Sequence, residues 1–165
     1  MIIINKRNLF FLISVWLLST LLSAQNVTIS TPHTQLLLSV PNGGTPEQLY
    51  YGSRTSDADI RSICETARRR NAYPVYGMGY PCETALSVRH ADGNLTLQMA
   101  VIGVKETRLI KENATLTVIE LKDKVYPFFV NICYKAWQDA DVIETWTEIR
   151  HEEKKPVQLQ QFASA

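Results

Sequence analysis

Apolar and polar residues alternate with a period of two along most of this chain, a rhythm that builds strands with one apolar side rather than amphipathic helices. Residues 125–137 place Tyr126, Phe128, Val130, Ile132 and Tyr134 on one face. Residues 84–91 place Leu86, Val88 and His90 on one side, and Leu95, Leu97, Met99 and Val101 alternate again after Asp92-Gly93-Asn94. That tripeptide is strong turn chemistry, so the two runs predict a hairpin. Residues 114–123 alternate too, but the apolar phase slips between Val118 and Ile119. The slip predicts a bulge or burial on both faces. Residues 141–150 carry Ile143 and Ile149 on one face and Val142 and Trp146 on the other. A polar turn over 151–155 follows, and Pro156 opens a last strand.

Residues 27–31, 35–40 and 48–54 read as further strands, with Asn42-Gly43-Gly44 turning the chain between the last two. Only residues 57–70 show helical spacing, through Ile60, Ile63, Cys64 and Ala67. This helix would end in Arg68-Arg69-Arg70, cations suited to a helix C-terminus and read here as a solvated last turn. Many strands joined by short turns predict an all-β fold, an antiparallel β-sandwich with one short helix.

The two ends carry expectations of their own. Lys6 and Arg7 precede an apolar run from Leu9 to Leu22, and Leu22-Ser23-Ala24 offers a small residue for cleavage. Residues 1–24 therefore read as a signal peptide cut after Ala24, with an uncleaved anchor as the alternative. The remainder, residues 25–165, is expected to be exported to the periplasm or the extracellular space, with no membrane attachment after cleavage. Losing Lys6 and Arg7 takes the formal charge from +1 to −1. A chain so nearly neutral has no electrostatic reason to bind nucleic acid or an anionic membrane. Residues 156–165 read as a strand with nothing after it. A piece of a longer protein would look like this, and it should leave the apolar row from Tyr126 to Tyr134 and the surroundings of Trp146 partly exposed.

Candidate chemistry is sparse. No phosphate loop, nucleophile elbow or metal-ligand cluster is present, and no cofactor is implied. Cys64, Cys82 and Cys133 fit no zinc or redox spacing; they read as buried thiols, with a Cys64–Cys82 disulfide as the alternative. His33, His90 and His151 are scattered and read as surface or packed histidines. Glu144 and Glu148 share a strand face, but four strand residues span about 13.6 Å. Glycoside hydrolysis needs its two carboxyls within roughly 5–9.5 Å, so that pair fails. Asp57 with Asp59, and Asp139 with Asp141, stand where acidic pairs serve as caps or turn residues. Pairs drawn from different strands stay open at this stage. Glu148 and Arg150 read as a same-face ion pair worth little at a surface. The best candidate for recognition is the loop from Tyr73 to Pro81, above all Tyr76, Gly77, Gly79 and Tyr80. Aromatic rings stack on sugar faces and glycines admit a ligand close to backbone. The plainer reading is a hydrophobic plug over one end of the sandwich.

Several stretches, in order, resemble a known family. They are Gln48-Leu49-Tyr50-Tyr51-Gly52, the run from Ala85 to Asn94, Leu121-Lys122-Asp123 with Val125-Tyr126-Pro127, the run from Asp141 to Ile149, and Lys154-Lys155-Pro156-Val157 leading to Phe162-Ala163-Ser164-Ala165. Together they resemble the N-terminal domain of glycoside hydrolase family 36, the α-galactosidases. The resemblance implies part of a β-supersandwich that precedes a catalytic (β/α)₈ barrel. It implies an aspartate nucleophile and an aspartate acid/base in that barrel, so no catalytic residue falls within this chain. The parent would hydrolyse terminal α-galactosides with retention and form a homo-oligomer. This part would be structural and inactive alone. Its loop Tyr76-Gly77-Met78-Gly79-Tyr80-Pro81 resembles the one that borders a neighbouring subunit's active site in many members. Some members carry Asp-Phe-Arg after the second glycine, where this chain reads Tyr80-Pro81-Cys82. The alternative is a stand-alone carbohydrate-binding β-sandwich module.

Overall fold

The computed structural model describes residues 25–79, 81 and 83–163; the expected signal peptide, Tyr80 and Cys82 lie outside the described residues. Ten strands and one α-helix follow in the order β1 (Gln25–Ser30), β2 (Thr34–Val40), β3 (Glu47–Ser53), α1 (Asp57–Thr66), β4 (Arg70–Asn71), β5 (Leu86–Arg89), β6 (Met99–Leu109), β7 (Ala114–Asp123), β8 (Phe128–Trp137), β9 (Val142–His151) and β10 (Gln158–Phe162). They form a sheet ordered β1-β2-β3-β4, a sheet ordered β6-β7-β8-β9 and a β5-β10 pair. Every ladder is antiparallel. The fold is thus the all-β antiparallel sandwich expected from the alternation.

The core lies between the two larger sheets. Val27, Ile29, Leu36, Leu38 and Val40 come from one side, and Ile119, Leu121, Phe128, Val130, Ile132, Tyr134 and Ala136 from the other. Each set has the spacing of one strand face, so the period-two pattern is the core pattern. The row expected to be partly exposed is in fact covered: Phe128, Val130 and Ile132 are all at 0% exposure. The β1-β2-β3 sheet supplies the cover, a partner that strand patterning alone does not identify. Trp146 is half-buried on the opposite face. The first sheet buries its second face as well. Gln35, Leu37 and Ser39 lie beneath the segment through α1, where Thr55 donates to Gln35 Oε1 (3.0 Å from N, 2.9 Å from Oγ1) and Arg69 donates to Ser39 Oγ (3.1 Å).

Three local outcomes differ from the sequence reading. The helix stops at Thr66, because Arg70 and Asn71 pair with Gln48 and Glu47 as β4. The three arginines are therefore not its last turn, and Arg69 pairs with Glu47 at 3.0 Å. Ladder formation with β3 outcompetes one more helical turn on a helix that buries no residue fully. Of the bulge or two-faced burial expected at Val118, the burial is found and the bulge lies one strand away. Register shifts in β6 between Val101 and Gly103, pushing Ile102 outward, while β7 stays regular with Leu116 and Val118 half-buried on its outer face. Strand β8 starts at Phe128 rather than residue 125. The buried Asp123 carboxylate accepts from the backbone N of Gln98 (2.5 Å), Val125 (2.7 Å) and Tyr126 (2.8 Å) and holds residues 124–127 in a turn.

Two clamps join the layers. Gly43 N donates to Val101 O at 2.9 Å and Val101 N to Gly44 O at 2.8 Å, tying the β2–β3 turn to β6. At the other clamp Asp141, in the β8–β9 turn, accepts from Thr31 Oγ1 and from His33 N (3.0 Å). Thr31 is itself fully buried. These bonds, the Thr31 hydroxyl first, hold the Asp141 carboxyl below the usual range. A depressed carboxylate stabilises the fold above its unfolded pKa, near 3.9, and that contribution disappears as pH falls through the folded value. Thermal unfolding followed by circular dichroism should therefore show the midpoint dropping as pH falls below about 4. Asp141→Asn should flatten part of that drop while lowering the midpoint at pH 7.

Candidate functional site

The loop from Tyr73 to Gly79 divides into a buried half and an exposed half. Tyr73 and Val75 are buried at 2% and 1%, and Tyr73 Oη donates to Ala163 O at 3.3 Å. Burial raises the Tyr73 phenol. This half is the hydrophobic plug. Tyr76 and Met78 instead stand half-exposed, at 48% and 39%.

Backbone pairing explains the switch. Val75 bridges Leu86 in parallel. Tyr76 N donates to Leu86 O, and Leu97 N donates to Tyr76 O, both at 3.0 Å. Tyr76 thus occupies the place between the two arms of the predicted hairpin. The Asp92-Gly93-Asn94 turn forms, with His90 N donating to Asn94 O at 2.8 Å. The arms then part, β5 pairing with β10 and β6 with β7. The sequence carries the turn signal but no sign that a third segment enters behind it.

Gly77 and Gly79 follow with φ of +97° and +72°, backbone that L side chains rarely adopt. A Cβ at Gly77 would lie 2.6 Å from Thr96 Cγ2 and 3.0 Å from Thr96 Cα, while Gly79 has open space around it. Glycine therefore lets the chain turn tightly against Thr96 and project Tyr76 and Met78 outward. Tyr76, Gly77 and Gly79 lie together on this loop; Tyr80, the fourth candidate, lies outside the described residues.

A buried polar lock stands at the far end of β5. His90 is 2% exposed; its Nδ1 lies 2.7 Å from Glu153 Oε1, and Ala91 N donates to Glu153 Oε2 at 2.9 Å. The imidazole stacks on Tyr126 at 3.7 Å between centroids, with 9° between planes. Tyr126 Oη in turn donates to Asp92 Oδ2 at 2.7 Å and accepts from Asn94 at 2.9 Å. His90 is thus a packed histidine, and His33 and His151 are exposed.

The remaining candidates resolve plainly. Cys133 is buried and its thiol is pushed up to about 11 by burial, helped by the charge of Glu148; that suits an inert thiol. Cys64 is half-buried and free. Among the described residues no group of His, Cys, Asp and Glu could hold a metal ion, and no helix is long and apolar enough to cross a membrane. Ser56 caps α1 with Asp59, and Asp139 accepts from Asn113 at 2.6 Å, so both acidic pairs serve as caps and turns. Arg150 pairs with Glu152, not with Glu148 as the strand face suggests. Among acids that the register brings together across strands, Glu120 and Glu148 flank Asn131 on the outer face of the β6–β9 sheet. No spacing in the sequence marks that row, because register alone assembles it.

Such a molecule is a two-layer β-sandwich domain with an exposed, glycine-hinged aromatic loop. Its relatives define it further: residues 44–165 match the glycosyl hydrolase family 36 N-terminal domain, and the chain belongs to that family. The fold is similar to an α-galactosidase from Lactobacillus brevis (TM-score 0.73, 16% identity, 86% of this chain and 23% of that one). It is also similar to a family 36 α-galactosidase from Geobacillus stearothermophilus in complex with raffinose (TM-score 0.74, 14% identity, 85% and 24%). A third similar structure is the galactosidase domain of an α-galactosidase–sucrose kinase (TM-score 0.69, 21% identity, 84% and 24%). The chain spans about a quarter of the length of each. No curated protein matches it.

Chemical denaturation should rank the two glycines. Gly77→Ala should lose about 1–3 kcal/mol through strain and the Thr96 contact, and Gly79→Ala about 1 kcal/mol. Glu153→Ala, which leaves His90 Nδ1 and Ala91 N unpaired in the interior, should lose about 2 kcal/mol or more, with Glu153→Gln losing less.

Proposed function

We propose that this chain is the N-terminal scaffold of an exported α-galactosidase that hydrolyses terminal α-galactosides with retention. The observation that carries this reading is the family match over residues 44–165. The sandwich would support the catalytic barrel and the assembly of a homo-oligomer. The loop bearing Tyr76, Gly77 and Gly79, with Tyr80 after it, would border a neighbouring subunit's active site and touch its galactoside. Half-exposed Tyr76 and Met78, set on two left-handed glycines, supply a firm apolar surface for such a contact. The catalytic aspartates belong to the barrel, so this chain by itself has no part that breaks a glycosidic bond.

Incubation of the purified chain with a chromogenic α-galactoside is expected to give no turnover above background, and clear turnover refutes the assignment of catalysis to the barrel. In a full-length enzyme, Tyr76→Ala should raise KM for raffinose more than it lowers kcat, since the loop would bind substrate away from the reacting bond. An unchanged KM would remove the loop from the site. A second reading, a stand-alone carbohydrate-binding module, draws on one observation: the core between the sheets is closed by residues within the chain. The DNA following the codon for Ala165 separates the two readings. An in-frame or frameshifted barrel favours the scaffold, and unrelated DNA favours the module.

A further inference from the structure

We propose that the outer face of the β6–β9 sheet carries a binding site for a neutral, hydroxyl-rich ligand, a mono- or oligosaccharide. The site is a hollow of about 590 Å³ bounded by Ile102, Glu120, Phe129, Asn131, Glu148 and Arg150. Small-molecule pockets fall in the same size range, about 300–1,000 Å³. It shares no residue with the Tyr76 loop, so it stands apart from the reading above.

Strand register builds the site. Glu120, Asn131 and Glu148 are direct partners across β7, β8 and β9, and Lys122, Phe129 and Arg150 form the next row on the same face. At about 4.8 Å between strands, the two glutamates rise about 10 Å apart with the amide between them. The first row is acid–amide–acid and the second cation–aromatic–cation. Arg150 Cζ lies 4.1 Å from the Phe129 ring centroid and Lys122 Nζ 5.7 Å from it. Glu120 is also paired with Lys105 at 2.6 Å.

The ligand class follows from charge and hydrogen-bonding capacity. Carboxylates and cations nearly cancel, so neither an anion nor a cation gains from the local field; an anion would face two carboxylates and a cation Lys122 and Arg150. A hydroxyl both donates and accepts. Carboxylates accept at about four lone-pair sites, an amide does both, and the Arg150 guanidinium, one of whose donors is taken by Glu152, keeps others of its five N–H groups to donate. The bonds that Glu148 accepts from Asn131 and Trp146, each 3.2 Å, orient its carboxylate without exhausting it. Sugars also have apolar C–H faces. The β6 bulge turns Ile102 outward to 55% exposure at the edge of the hollow, and bulges commonly re-aim a side chain in this way. Beside it Gly103 leaves room: a Cβ there would stand 2.9 Å from Glu120 Oε2.

Isothermal titration of the chain with stachyose, maltotetraose and xylotetraose, beside a galacturonate oligomer and a glucosamine oligomer, tests the proposal. Saturable binding of at least one neutral tetrasaccharide is expected, tighter than either charged oligomer. Asn131→Ala and Glu148→Ala should each weaken it by about tenfold, and Ile102→Ser, a change at an exposed side chain, by a smaller factor. Melting midpoints identify any variant that fails to fold; the Ile102 change then decides. No saturable heat with any neutral probe up to about 10 mM, tighter binding of a charged oligomer, or affinity unchanged in the folded variants would overturn the proposal.

Discussion

The whole molecule depends on two sheets burying one face each against the other. Phe128, Val130, Ile132, Tyr134 and Ala136 alternate inward along β8, and Val27, Ile29, Leu36, Leu38 and Val40 answer them from β1 and β2. At about 25 cal/mol per Å² of apolar surface removed from water, this contact is the main favourable term available to a domain of this size. Burial sets conditions on everything near it. Tyr134 is carried in with the row and its phenol is pushed up to about 12 by burial. Polar groups that cross the layer boundary must be satisfied, and Thr31–Asp141 and Gly43–Val101 do so with defined partners.

The same requirement shapes the loop from Tyr73 to Gly79. A segment that buries Tyr73 and Val75 must also pair its backbone, and it does so by entering between Leu86 and Leu97. Once there, the chain turns at Gly77 against Thr96. Exposure of Tyr76 and Met78 is thus a consequence of how the plug is anchored. The proposed scaffold and recognition roles would draw on the same few residues, the inward-facing half fixing the outward-facing half.

Much of this was legible beforehand. Alternation over residues 125–137 named the buried face of β8, and the helical stripe Ile60, Ile63, Cys64 and Ala67 comprises positions that are half-buried on α1. Tyr76, Gly77 and Gly79 stood out because glycines beside aromatics are a local signal. The misses share one cause. Of the bulge or two-faced burial expected at Val118, the bulge formed in β6 instead, while Leu116 and Val118 are half-buried on the outer face of β7. The hairpin was expected from its turn, yet its arms found other partners. Arg68 to Arg70 read as a helix end, yet a two-residue ladder with β3 ended the helix sooner. In each case a pairing between distant residues prevailed over a local preference.

What the chain order alone determined is therefore most of the strands, their inward faces and the family: side-chain alternation and turn chemistry act between near neighbours and survive in any arrangement. Which strand lies beside which, and so which side chains meet, was decided only on folding. Glu120, Asn131 and Glu148 become one row, and Thr31 reaches Asp141, because backbone ladders and core closure fix register over long separations, and no local pattern encodes that.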